Sequence, residues 1–481
     1  MSERLRPRDV ALLAEESAST PMHNATVEIF DPGQSGFDYA QLVRLVQERI
    51  SFVPRYRQRV QTVPGRIANP VWVDDDHFDL GYHVRRSALP RPGTLDQLRE
   101  LVARIVSRPL DRHRPLWEIY FVEGLADGRV ALLSKSHQVL VDGMHTVDLG
   151  QVLLDTSAEP KELGADEWRP QTSPSPFSLM AGAVRDTVVA RGTLTATARS
   201  TTGSLLRGAE SVARSAGRVA DALTNRSPLS ESPIIGPLSQ QRRVVAVRTD
   251  LADYRKVREA HGGTVNDVIL ATVTGALRAW LMTRGESMRG IRQIRAVVPI
   301  SVIDDEMEAT SLGSQIALHF VDLPVWEPSP VVRLHQVSYS FLAHKETGRA
   351  VAASRLTSIA GFAPATFHAI GSRVAARERR SYQLSVTNVP GPQTPLYAAG
   401  ARMLETYPVP PLLEGHPLAI GVTSYDGHVY YGLTADRDML PDADLLGPCL
   451  QEALDELVDS ATGGRTRAPR GRRKRKTETP S

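Results

Sequence analysis

The chain has 481 residues, 41% hydrophobic and 23% charged, with 35 glycines and 33 prolines. At about 150 residues per domain it holds several folding units, and this composition excludes collagen-like and wholly disordered classes. A single cysteine, Cys449, excludes a disulfide framework and a multi-thiolate metal site. Lys and Arg number 57 against 54 Asp and Glu, but eight of the basic residues and only one acid, Glu478, lie after Gly463, leaving 49 against 53 elsewhere.

In chain order, MHNATVEIF (22–30) reads as a strand. Leu42, Leu45, Val46 and Ile50 then recur at helical spacing within 37–50, and 95–106 carries a second helical pattern. LWEIYFVEGL (116–125) and VALLSKSHQVLV (130–141) read as strands, and 146–155 returns to the helical period. Residues 159–241 are rich in Ser, Thr, Ala and Pro, and read as a connector. Within it Leu205, Ala209, Val212, Ala216, Val219 and Leu223 form an amphipathic stripe. Residues 242–462 resume the mixed pattern. RRVVAVRTDL, IRAVVPISV, SQIALHFVDL and YQLSVTNV are strand-like, and VNDVILATVTGALRAWL (265–281) is a helix that Thr264 or Asn266 caps. PLAIGVTSYDGHVYYGLTA reads as a hairpin turning on Asp426-Gly427, and a helix follows over 443–458.

The expected organisation is an α/β (α+β) lobe over 1–158, the connector over 159–241, a second lobe over 242–462 and a disordered basic tail over 463–481. No run of 18 apolar residues is present, so no membrane-spanning segment is expected. MSERLRPRDVALLAEE lacks the apolar core of a secretion signal. A cytoplasmic protein is expected, peripheral at the inner membrane face if the tail and the amphipathic stripe engage anionic lipid. Aromatics are 6% of the chain and absent from the tail, so no nucleic-acid partner is expected. The histidines lack the short spacings of a metal site, and no dinucleotide- or phosphate-binding glycine motif is present.

The richest polar cluster runs from Lys135 through Ser136, His137, Gln138, Asp142 and Gly143 to His145, where a strand gives way to a turn. Polar groups at the end of a buried strand are costly unless paired or used. Taken singly, an Asp-Gly turn is ordinary and a lone histidine is more often structural than catalytic. SHQVLVDG, however, resembles the histidine motif HHxxxDG of the bacterial wax ester synthase/diacylglycerol acyltransferase family. The likeness continues in family order. PRDVALLAEESASTPMHNATVEIFD resembles the family's opening segment, Pro115-Leu116-Trp117 its PLW element and Asn266-Asp267 its ND motif. VPISV (298–302) resembles its proline-bearing strand, NVPGP (388–392) its loop of that sequence and GLTAD (432–436) its closing strand.

The resemblance implies two chloramphenicol-acetyltransferase-like lobes with mixed sheets and a central tunnel, a fold shared with peptide-synthetase condensation domains. It implies transfer of a fatty acyl group from coenzyme A to diacylglycerol or a long-chain alcohol, giving triacylglycerol or a wax ester. Acyl-CoA is a substrate and no cofactor is implied; a membrane or lipid-droplet surface is the implied meeting place. His137, Gln138, Asp142 and Gly143 fall on the catalytic motif. Pro115, Leu116, Trp117, Asn266, Asp267, Asn388, Pro390 and Gly391 fall on substrate-binding motifs. The family's general base stands four residues before the motif aspartate, and there this chain has Gln138, which takes no proton at useful pH. His137 matches the first, non-catalytic histidine; His145 is a further candidate base. A second departure is Leu312-Gly313-Ser314-Gln315, where the family has Asn after Gly. Asp142 is expected to form a structural ion pair, with Arg295 as partner. Two readings follow: an O-acyltransferase with altered catalysis, or a silent relative that binds acyl-CoA or lipid. A condensation module is a third class, with no carrier domain attached.

Overall fold

The structure, a computed structural model, describes residues 3–33, 35–140, 149–159, 168–175, 177–182, 232–286, 293–301, 316–346 and 381–463. Fourteen strands are described: β1 (His23–Asp31), β2 (Gln58–Gln61), β3 (Val71–Asp74), β4 (Val84–Ala88), β5 (Trp117–Glu123), β6 (Val130–His137), β7 (Arg242–Asp250), β8 (Ile294–Ser301), β9 (Ile316–Leu323), β10 (Leu384–Pro390), β11 (Tyr397–Ala398), β12 (Ala401–Val409), β13 (Leu418–Tyr425) and β14 (His428–Asp436). They form two six-stranded sheets, ordered β11-β12-β1-β6-β5-β4 and β7-β14-β13-β10-β8-β9, and a small β2-β3 hairpin. Both large sheets are mixed, since β4-β5, β8-β10 and β10-β13 run parallel and their other pairs antiparallel. The α/β class read from the sequence is the observed one.

Local chemistry sets the elements. The β13-β14 hairpin turns on Asp426 and Gly427, with φ of 44° and 81°. Two positive φ values define the turn that matches strand twist and favours Asp-Gly. Helix Val265–Thr283 begins at a capping box: Thr264 Oγ1 accepts from the Asp267 N–H at 3.2 Å, and Asp267 Oδ2 accepts from the Thr264 N–H at 2.8 Å. This helix is long and apolar enough to cross a bilayer, which the sequence reading did not anticipate. Its apolarity has a different cause. Val268, Ile269, Leu270, Val273, Leu277, Trp280 and Leu281 are buried in the second core, so it packs as the central helix of that lobe.

The division between lobes is not a cut in the sequence. β12 lies in the second half of the chain yet pairs with β1, from Ala25↔Val409 to Asp31↔Arg402. The expected second lobe, 242–462, therefore gives 397–409 to the first sheet. Three further contacts tie the halves. The Arg242 N–H donates to Ser107 Oγ at 3.1 Å, and the Arg242 guanidinium, paired with buried Asp436 at 3.3 Å, also donates to the Ser19 carbonyl. Met22 packs with Val297, Tyr382 and Leu413 of the second half. The amphipathic stripe at 205–223 and the tail from 464 onward lie outside the described residues.

Candidate active site

The strand that carries the histidine motif stops where the chemistry begins. β6 pairs with β1 as far as His137↔His23, and the Gln138 N–H still donates to the Met22 carbonyl at 2.9 Å. The chain then tightens into a 3-10 turn over Gln138–Leu140. His137 and Gln138 are both fully buried. His137 Nδ1 accepts the Val139 N–H at 3.1 Å, so the proton the ring carries sits on Nε2. Nε2 stands 3.6 Å from Glu16 Oε1, an electrostatic contact longer than a hydrogen bond. In this arrangement Nδ1 accepts a backbone N–H and Nε2 faces a carboxylate beyond hydrogen-bonding distance, so the ring anchors the turn. Asp142, Gly143 and His145 lie outside the described residues.

Around this turn the buried groups are fixed by helix Leu95–Val106. His23 Nε2 lies 2.9 Å from the Val106 carbonyl. Lys135 Nζ donates to the Ile105 and Arg108 carbonyls at 3.2 and 2.5 Å, where the helix leaves carbonyls without intrahelical partners. Burial pushes the Lys135 ammonium down to about 8, against the pull of Glu118 3.8 Å away. Burial and the nearby Lys135 hold His23 well below the ordinary imidazole range.

The PLW element is structural in this chain. Leu116 and Trp117 are buried, and Trp117 Nε1 donates to the Tyr56 carbonyl at 2.7 Å. His83 stacks on Trp117 at 4.5 Å and on Phe78 at 5.3 Å, and its Nδ1 bonds the Trp117 carbonyl at 2.8 Å. Leu116 and Trp117, expected at the substrate, are packed into the first core, with Pro115 buried beside them. Burial pulls His83 down from 6.5 to about 4. Its folded pKa is thus below its unfolded one, so the unfolded chain binds the proton first as pH falls. Stability is full above pH 6.5 and is lost down to pH 4, by about 3 kcal/mol at about 1.4 kcal/mol per pH unit. Urea midpoints from pH 7 to 4.5 should fall in the wild type. They should fall less in His83→Phe, and equal slopes would show that another group sets the acid limit.

In the second half the structure joins two motifs that are 122 residues apart. Asn388 Nδ2, near the end of β10, donates to Asn266 Oδ1 at 2.9 Å, at the first turn of helix Val265–Thr283. Asp267, expected at the substrate, is buried in the capping box described above. Gly391 is buried, and its N–H donates to Ser424 Oγ at 3.3 Å, while Pro390 is half-buried. Arg295, the expected partner of Asp142, donates to Asp322 at 2.7 and 3.2 Å on the surface. The cause is register: Arg295 and Asp322 are direct cross-strand neighbours on β8 and β9. Met22, Glu16 and Arg112 form a chain of contacts leading away from Gln138; Glu16 and Met22 lie in the opening segment, and nothing in the sequence points to Arg112. Among the described residues no group of three His, Cys, Asp or Glu side chains is placed to hold a metal.

With this geometry in hand, comparisons with known proteins give a consistent answer. Residues 5–269 match the wax ester synthase/diacylglycerol acyltransferase catalytic domain, and 312–458 match the C-terminal domain of the same family. The chain is 34% identical over 436 residues to a Mycobacterium tuberculosis protein named a probable diacylglycerol O-acyltransferase, tgs1, covering 90% of each. It is 32% identical over 464 residues to a second from that organism, tgs2, covering 94% of this chain and 98% of the relative. Among solved structures, a wax ester synthase/diacylglycerol acyltransferase from Marinobacter aquaeolei VT8 superposes with a TM-score of 0.66 at 25% identity, over 95% of this chain and all of that one. The first condensation domain of the CDA synthetase shares the fold alone, with a TM-score of 0.56 at 13% identity over 96% of this chain and 97% of that domain.

Proposed function

The chain belongs to the bacterial wax ester synthase/diacylglycerol acyltransferase family, and from that premise we propose that it transfers a fatty acyl group from coenzyme A to diacylglycerol, or to a long-chain alcohol. Family membership places it among acyltransferases acting on acyl-CoA and lipid substrates; triacylglycerol as the product is our own narrower reading. The observation that carries it is the position of Gln138. The motif turn sits on Met22, whose side chain packs against Val297, Tyr382 and Leu413 of the second half, so the turn lies at the junction of the lobes. Ligand sites favour such junctions. There the hydroxyl of the acceptor attacks the thioester carbonyl, the C–S bond breaks and the thiol of coenzyme A leaves with a proton. Holding both substrates in line supplies several kcal/mol of the barrier reduction without any base. Asp142 and Gly143 remain proposed members of the site, as do Asn266, Asn388, Pro390 and Gly391.

A second reading is favoured by a specific observation. Gln138 stands four residues before the motif aspartate, and beside it Nδ1 of His137 accepts the Val139 N–H while Nε2 faces Glu16 at 3.6 Å. A relative that binds acyl-CoA and transfers slowly or not at all fits those facts. Turnover decides between them. Purified protein, long-chain acyl-CoA and diacylglycerol on anionic vesicles should release thiol and form triacylglycerol. Binding of acyl-CoA without product selects the silent relative. In the same assay, removing 464–481 should weaken vesicle binding, more so at low salt, because eight basic residues lie there. Equal binding by both proteins removes the tail from the membrane proposal.

A further inference from the structure

The histidine motif is held from outside itself. Glu16 follows helix Pro7–Glu15, and its side chain is 4% exposed. Oε2 accepts from Arg112 Nε at 2.9 Å and from Nη2 at 2.7 Å. Oε1 accepts the Met22 N–H at 3.2 Å and faces His137 Nε2 at 3.6 Å. Arg112 also donates to the Leu13 carbonyl at 2.6 Å, which fixes the carboxylate to the end of its own helix.

Two paths lead from this carboxylate, and they converge on either side of one residue. Through Met22, whose N–H bonds Glu16 and whose carbonyl accepts the Gln138 N–H, it reaches the amide of Gln138. Through His137, whose Nδ1 accepts the Val139 N–H, it reaches the next amide. The Arg112–Glu16 contacts that hold the carboxylate, at 2.9 and 2.7 Å, are of the short charge-assisted kind, and supporting groups commonly fix the side chains that do the chemistry. We propose that Glu16 is a positioning residue of the acyl-transfer site, holding the Gln138–Leu140 turn through His137 and Met22. Burial alone would raise the Glu16 pKa; His137, Arg112 and the Met22 amide reverse that and hold it at about 2. The clamp is therefore charged at every working pH. Lys135 and Arg242, the cations that act on the neighbouring His23, engage carbonyls and carboxylates of their own.

The kinetic consequence rests on the acyl-transfer reading, but the clamp itself does not. Glu16→Gln keeps the shape and removes the charge, and Glu16→Asp keeps the charge. In the full-length protein, amide exchange at Gln138 and Val139 should become about tenfold faster in Glu16→Gln, while amides of β5 and β13 keep wild-type rates. Nitrogen NMR of the wild type should show His137 protonated on Nε2. The kcat for acyl transfer should fall about tenfold in Glu16→Gln with KM for acyl-CoA within twofold, by the same factor from pH 6 to 9, and Glu16→Asp should recover most of it. Unchanged exchange at Gln138 and Val139 overturns the proposal. So does protection lost evenly along the chain, which would make Glu16 a stability residue only. A wild type that transfers no acyl group sinks the acyltransferase reading instead, and the exchange rates then decide the clamp alone.

Discussion

Gln138→His is expected to raise the rate of acyl transfer by about 10²-fold or more, the usual worth of a positioned general base. In barrier terms that is roughly 3 kcal/mol or more. The attacking hydroxyl is a poor nucleophile until its proton has somewhere to go. An amide offers no such place. The neighbouring imidazole offers none either, because its Nδ1 is taken by the Val139 N–H and its Nε2 faces Glu16. The described part of the turn is already in place: the Met22 carbonyl under residue 138, the buried surroundings and the second lobe alongside. Thiol release from acyl-CoA in the presence of diacylglycerol reads the rate directly. A wild type as fast as the variant would mean that another base works in this site. His145→Ala would then abolish activity, whereas His137→Ala would act through the turn. If neither wild type nor Gln138→His turns over while acyl-CoA still binds, the silent relative is the better reading.

Much of the fold was legible because local signals agreed with tertiary ones. Leu95–Val106 has the bounds its periodicity predicts, and the Asp426-Gly427 hairpin follows from the two positive φ values such a pair tolerates. The strand read over 130–141 ends earlier, at His137, where the chain tightens into the turn over Gln138–Leu140. β12 escaped notice for a physical reason. It carries Pro408, which weakens any strand reading, and its partner β1 lies 371 to 384 residues earlier, beyond the reach of a local pattern. Asp267 and Trp117 fall on family motifs expected at the substrate, and the structure adds a capping box for the one and an aromatic stack for the other. A motif reports that a residue type is required at a place. It does not say whether packing or chemistry requires it. The Glu16 clamp was invisible because its members, Glu16, Arg112 and His137, meet only once the sheet has formed.

Gly432→Ala is expected to be among the most damaging single changes in this protein. Gly421 and Gly432 are direct partners on β13 and β14, and together they leave a notch in the second sheet. Pro408 of β12 fills it while pairing with Thr26 in the first sheet. A Cβ on Gly432 would fall within the van der Waals surface of the Pro408 carbonyl oxygen and 2.8 Å from its carbon. Overpacking usually costs about 1–3 kcal/mol because side chains shift to make room. Here the obstacle is backbone held in the ladder with β1, so the cost should lie at the top of that range or above. Gly421→Ala should cost less, since its Cβ would meet the Pro408 ring at 2.9 Å, beside atoms that can tilt away. The two variants separate packing from mere loss of glycine, as both positions lie in strands. Because β12 carries the first sheet across the second, its displacement should also uncouple the lobes. Urea unfolding of Gly432→Ala should then broaden or split into two transitions where the wild type shows one. An unchanged midpoint and slope in Gly432→Ala would mean that the crossover does not hold the lobes together. Displacing β12 also strains β1, whose first residue His23 pairs with His137, so acyl transfer should fall before the fold is lost.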